Sequence, residues 1–224
     1  MRSVANKKVW RILVRALGLG IPLVAAGSIR WTRGWIWIGL SLFTTAVNLT
    51  VIRFRNPGLL EARMAHTRPT RRFDKVFTAL YVVALLALAI LEGLAVRLGW
   101  PQLSLGWLYW GLALHLVGMV PVTAAMATNP YLEATVRIQD ERGHMAITSG
   151  PYSIVRHPMY VGVSLMVLAW PPVFGSPWGY LPAGLVVFLF VFRAAHEDRT
   201  LRNELAGYEA YTRRTRYRMV PGLW

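Results

Sequence analysis

Two short stretches near the C-terminus carry most of the reactive side chains of this 224-residue chain. The first runs Arg137-Ile-Gln-Asp-Glu-Arg-Gly-His144 and continues Met-Ala-Ile-Thr-Ser-Gly-Pro-Tyr-Ser-Ile-Val-Arg-His-Pro-Met-Tyr-Val-Gly162. Gly150-Pro151 marks a turn. Pro158 biases His157 away from helical geometry and suits the first position of a helix. Arg156 and His157 then stand at a helix N-terminus, where free backbone N–H groups attract anions and an arginine adds a two-pronged clamp for carboxylate or phosphate. A loop beside a membrane, its Arg and His touching lipid headgroups, has the same spacing, and the residues alone leave both readings open.

The second stretch is His196-Glu197-Asp198-Arg199, which opens a predicted helix reaching about Arg214. Arg193, Glu197, Leu201, Glu204 and Tyr208 recur at helical spacing and share a face, which Tyr211 and Arg214 continue. Two adjacent acids suit a cationic ligand group. An interfacial helix laced with ion pairs is the alternative. Elsewhere, Glu92 and His115 fall inside apolar runs. Ionisable groups there are functional candidates by default; Glu92 lies near a span end with Arg97 in reach, and His115 reads as a packing histidine. The five histidines (66, 115, 144, 157 and 196) form no close ligand pair, so no metal site is expected. Without cysteine, thiol catalysis, disulfides and Cys-ligated zinc are excluded. No dinucleotide-binding glycine motif follows a strand pattern, and there is no phosphate-loop or nucleophile-elbow motif.

The elements that position these residues are apolar. Hydrophobic residues make up 55% of the chain, charged ones only 16%, and mean hydropathy is +0.40. Soluble domains carry roughly 25% charged residues, so an all-helical, polytopic integral membrane protein is expected. Six spans are read: Ile12 to Ile29, Trp35 to Ile52, Val76 to Ala95, Trp107 to Met126, a short Met159 to Trp170 that stops at Pro171-Pro172, and Trp178 to Phe192. The last two form a short hairpin, followed by a C-terminal interfacial helix on the cytoplasmic side. Ten tryptophans suit the membrane interface. Five Lys+Arg precede Ala16, seven lie from Arg53 to Lys75, three from Arg137 to Arg156 and seven from Arg193 to Arg218, whereas the opposite side holds only Arg30, Arg33 and Arg97. Positive residues stay inside, so both termini are expected in the cytoplasm. A cleaved signal peptide, with Arg2 to Arg15 basic and Ala16 to Ala26 apolar, is the rival reading of the N-terminus. The net charge of +15 lies between greasy runs and suits anionic lipid rather than nucleic acid. Residues 1–128 read as a four-span scaffold and lipid-side wall, and 129–224 as the catalytic region.

Thr-Ser-Gly-Pro-Tyr and Arg-His-Pro-Met-Tyr-x-Gly, within His144 to Gly162, resemble the isoprenylcysteine carboxyl methyltransferase family, part of a wider group that includes phospholipid N-methyltransferases. The later pattern is also similar: Glu197-Asp198, Leu201, Tyr208, Tyr211, Arg214 and Pro221. The resemblance covers residues 129 to 224. It implies S-adenosylmethionine as cofactor, held on the cytoplasmic side by His144, Tyr152, Arg156, His157, Tyr160 and Gly162, completed by Glu197 and Asp198, with Gln139 reaching the adenine. The family usually has Glu-Glu where Glu197-Asp198 stands, so Asp198 keeps the charge on a shorter arm. Arg156 suits the cofactor carboxylate; the acids and aromatic faces suit its ammonium and sulfonium. The implied reaction is methyl transfer to a lipophilic acceptor entering from the bilayer, with Arg214, Glu197 and Arg156 carrying catalysis. A prenylcysteine-like carboxylate is ionised at neutral pH and needs no base. An amine acceptor would lose a proton, which Glu197 or His157 could take. Sterol-type membrane reductases using NADPH share a related Arg-His-Pro-x-Tyr segment but carry Asn where this chain has Met159. A lipid-binding protein without catalysis would have no use for Arg156, His157, Glu197 and Arg214 together.

Overall fold

The computed structural model describes residues 18–64 and 71–224, and every regular element among them is helical. Residues 18–26 form α1. It is followed by α2 (Thr32–Arg55), α3 (Pro57–Met64), α4 (Arg72–Arg97), α5 (Leu105–Thr128), α6 (Pro158–Phe174), α7 (Tyr180–Glu204) and α8 (Tyr208–Arg214). Four segments are long and apolar enough to cross a membrane: α2, α4, α5 and Pro177–Glu204, which is α7 with its preceding turn. Apolar α6 is shorter. The first third of the first predicted span, residues 12–17, and the whole basic leader lie outside the described residues. These helices are greasy on their outer faces as well: Phe43, Leu49, Val83, Val120 and Phe188 are all exposed. A helix apolar all round belongs against lipid.

Close packing of α5 on α6 fixes the short helix. A Cβ on Gly162 would lie 2.4 Å from the Gly118 carbonyl oxygen, and one on Gly111 2.9 Å from that of Ala169. Small residues let two membrane helices approach backbone to backbone. Helix α6 does not stop at Trp170 as its proline pair suggests. It continues through Pro171 and Pro172 to Phe174 and ends at Gly175, whose φ of +102° only glycine adopts readily. The Gly175 and Ser176 N–H groups both return to the Pro171 carbonyl, at 2.8 and 3.1 Å. Arg33 secures this end, donating to the carbonyls of Leu103 (2.8 Å) and Pro172 (3.3 Å).

The last span and the interfacial helix also differ from expectation. Helix α7 runs unbroken from Tyr180 to Glu204, so His196-Glu197-Asp198-Arg199 lies inside it rather than opening a new helix. The break comes later, at Gly207 (φ +80°), before the short α8. Charged residues do not end a helix; a residue that needs positive φ does. Beyond α8 the chain doubles back: Arg156 and His157 N–H groups donate to the Tyr217 and Arg218 carbonyls at 3.0 and 2.9 Å.

Candidate functional site

The N-termini of α4 and α6 and the C-termini of α2, α5 and α7 meet at one end of the bundle, as antiparallel neighbours must. Asn56, just past α2, donates to the Met126 carbonyl near the end of α5 at 3.0 Å. Arg30, Arg33 and Arg97 belong to the opposite end. The loop of residues 129–157 packs over the first end and closes a cavity of about 60 Å³. His144, Tyr152, Arg156, His157, Tyr160 and Glu197 line it, together with the rings of Tyr208 and Tyr211. A second cavity of similar size adjoins it, sharing Asn129, Leu132, His144, Glu197 and Leu201 as a wall and adding Arg193.

Glu197 and Asp198 have separate surroundings. The Tyr160 hydroxyl donates to Glu197 Oε2 and accepts from Arg193 Nε at 2.9 Å. Arg193 is anchored by fully buried Asp74 at 3.0 Å, lies over the Phe77 ring and donates to the Ala134 carbonyl at 2.8 Å. Asp74 also accepts the Val136 N–H at 3.0 Å. A chain of contacts from α4 through α7 and α6 therefore orients the Glu197 carboxylate at the cavity wall. Asp198 instead faces Arg156, which donates to both its oxygens at 2.9 and 2.7 Å. Tyr208 (2.8 Å) and Arg218 (2.9 Å) donate to it as well, and His157 Nε2 lies 3.4 Å away. The other Arg156 donor is shared by the Thr215 and Arg216 carbonyls, 2.7 Å each. Every Arg156 nitrogen is thus engaged with protein, and the pair is sealed from solvent. Removing one partner of such a pair costs about 3–5 kcal/mol, because the other charge is left buried alone.

Tyr152 is the second hub. Its carbonyl accepts from the Tyr211 hydroxyl (2.7 Å) and the Thr215 hydroxyl (3.3 Å), and its own hydroxyl accepts from Asn129 (3.1 Å). Burial pushes the phenols of Tyr152, Tyr208 and Tyr211 well above the ordinary tyrosine range, so they are neutral donors and apolar walls. Half-buried His144 stacks on Tyr131, with ring centroids 4.4 Å apart. Its Nδ1 accepts the Gln139 N–H at 3.3 Å, and burial, then Arg137, holds its pKa below the usual value. It is therefore a neutral ring.

Besides Asp198, three expected residues do not line the cavity. Gln139 is buried, its amide bridging the Tyr131 carbonyl (2.7 Å) and Arg142 (2.6 Å), so it shapes the loop. Gly162 lies in the α5–α6 contact. Arg214 is exposed and not among the residues that line the cavity. Sequence reasoning missed Asp74 and gave Arg193 only a place on a helical face. The four-residue step from Arg193 to Glu197 is the one signal for Arg193; Asp74 has none, because its partners are 62 and 119 positions away. His115 accepts the packing role, with Thr44 Oγ1 3.0 Å from its Nε2. Glu92 is buried against Gly179 at the start of α7 and makes no hydrogen bond with Arg97. His66 lies outside the described residues.

The model for the phospholipid methyltransferase family matches residues 107–206, which include most of α5 and all of α6 and α7. A probable protein-S-isoprenylcysteine O-methyltransferase of Oryza sativa subsp. indica is 30% identical over 139 residues, 60% of this chain and 72% of that protein. Protein-S-isoprenylcysteine O-methyltransferase B of Arabidopsis thaliana is 22% identical over 162 residues, 70% of this chain and 82% of that one. A Delta(14)-sterol reductase of Schizosaccharomyces pombe is 34% identical over 96 residues, but that stretch is only 23% of the reductase.

Proposed function

The chain belongs to the isoprenylcysteine carboxyl methyltransferase family of membrane methyltransferases, and from that premise we propose that it O-methylates the carboxylate of a prenylcysteine-like lipophile, with S-adenosylmethionine as methyl donor. One observation carries this reading: Glu197, oriented by Tyr160 and Arg193, presents a carboxylate to a cavity walled by neutral aromatic rings. Those groups fit the donor in kind, since an acid and ring faces attract ammonium and sulfonium groups. They fit in size only when the wall between the two cavities parts. Each is about 60 Å³, whereas small-molecule sites span roughly 300–1,000 Å³. Leu132 and His144 on one side, and Glu197 and Leu201 on the other, would separate to admit it.

When bound, S-adenosylmethionine supplies a methyl group on a sulfonium, already a good leaving group. That methyl would pass to an acceptor carboxylate, leaving the neutral thioether, with no proton for the protein to move. The protein then has three tasks: alignment, exclusion of water, and charge placement. Glu197 holds the donor's cationic end, and Tyr152, Tyr208 and Tyr211 exclude water. Arg156 acts through Asp198: it pins the tail at Thr215 and Arg216 and so fixes His157 and α6. Asp198, Gln139 and Gly162 are positioning residues in this account, and exposed Arg214 would meet the acceptor from outside the cavity. The acceptor enters sideways between the lipid-facing helices, and the donor from the cytosol, where both termini also lie.

Membranes containing the protein, incubated with methyl-labelled S-adenosylmethionine, should yield a labelled lipophile that releases volatile methanol on mild base, as a methyl ester does. Label stable to base and attached to a phospholipid amine would instead establish N-methylation, and no label with any membrane lipid would refute methyl transfer.

A further inference from the structure

A substrate carboxylate inside this cavity needs a cation that is not already spent. Arg156 has no free donor. Arg193 is neutralised by Asp74, although its buried Nη1 makes no hydrogen bond. Arg218 serves Asp198, and Arg137 and Arg142 serve Glu133, Glu141 and Gln139. Arg63, on α3, differs. It donates from Nε to the Leu132 carbonyl at 2.8 Å, and its Nη2 is 3.8 Å from the thioether sulfur of Met159. A thioether is a weak acceptor and carries no charge. Among the described residues Arg63 forms no ion pair, and its Nη1 has no partner. The nearest acid, Glu133, has both oxygens bound to Arg137 at 2.9 Å. Arg63 is not itself among the residues that line the cavity; it lies behind Leu132 and Met159, which are cavity walls, with the neutral phenols of Tyr152 and Tyr160 nearby. Arg63 is itself partly buried, and burial pulls its pKa down. A partly desolvated cation facing a thioether lacks its counter-ion, and such a charge is costly until an anion arrives.

We infer that Arg63 is the guanidinium that receives a substrate carboxylate at this cavity, through its Nη1 and Nη2, displacing the Met159 sulfur. The inference rests on the methyl-transfer reading above. The proposed reaction offers two carboxylates of the same chemistry, that of the donor's amino-acid end and that of the acceptor, and the experiment separates them.

The test uses the full chain in lipid nanodiscs, as wild type, Arg63→Met and Arg63→Lys. One arm compares calorimetric affinity for S-adenosylmethionine with that for its decarboxylated form. The other compares the KM of an N-acetyl-S-prenylcysteine with the inhibition constant of its carboxamide. A charge-assisted pair is worth on the order of ten- to a hundredfold in affinity. Arg63→Met should remove that preference for the carboxylate form in one arm while leaving the neutral analogue's binding unchanged. Loss in the first arm assigns the donor carboxylate, and loss in the second assigns the acceptor. A merely structural Arg63 would weaken charged and neutral forms alike, and that result overturns the inference, as does an unchanged preference in both arms. If Arg63→Met does not fold, Arg63→Lys carries the test: charge is kept but the fork is lost, so the preference should fall severalfold rather than stay constant. Wild-type protein that binds no donor at all would instead refute the methyltransferase reading, and this inference with it.

Discussion

Glu197 and Asp198 are neighbours in sequence, yet about 100° of helical rotation sends them to different tasks. Glu197 meets Tyr160 at the cavity, while Asp198 is enclosed by Arg156, Tyr208 and Arg218. The residue types were legible as chemistry: acids for a cation, an arginine for an anion. Their pairing was not, because Arg156 and Asp198 stand 42 positions apart and neutralise each other. His144 gives this site a pH response. Its folded pKa lies below that of a free histidine, so the unfolded chain takes up a proton first as pH falls. The stability it confers is complete above about pH 6.5 and is lost on acidification below that value. The melting temperature of wild type should therefore fall between pH 7.5 and pH 5.5 by more than that of His144→Gln. Parallel profiles would show that His144 does not titrate against the loop.

Between α5 and α6 the fold depends on what is missing from Gly162 rather than on what it binds. A Cβ there meets Gly118 backbone and the Val122 side chain at 2.4 and 2.5 Å. Forced overpacking of this kind costs about 1–3 kcal/mol, and here the displaced element is the one that begins at His157 and Pro158. Gly162→Ala should lower the melting temperature of purified protein and weaken donor binding together. Full donor affinity alongside reduced stability would separate the helix contact from the site. Periodicity and hydropathy located α2, α4, α5 and the cores of α6 and α7, since apolar length is a strong signal. They misplaced the ends. Pro171-Pro172 reads as a stop, but Gly175 is the residue with the terminating conformation, and the Arg33 contact that secures that end comes from 139 positions away. Charge likewise suggested a boundary near Arg193, where the helix in fact continues into the site.

Taken together, the helices carry a polar site at one end and greasy flanks along their length. Residues before 129 also reach the site: Asp74 holds Arg193, and Arg63 reaches Leu132 and Met159. This was invisible to motif reading, which weighted the segment from Asn129 onward, because long-range partners leave no local pattern. Among the described residues most basic side chains lie at the site end, and the proposed reading takes a cytosolic donor and a membrane-borne acceptor. At about 60 Å³ each, the two cavities are too small for the proposed donor, which would have to move the loop of residues 129–157 against α7. The most direct test is calorimetric titration of S-adenosylmethionine into the purified full-length protein and its Glu197→Gln variant. Wild type should bind, and the variant should bind on the order of tenfold more weakly or worse, since one charge-assisted contact is lost. Equal affinity in the two proteins, or none in wild type, would contradict the account.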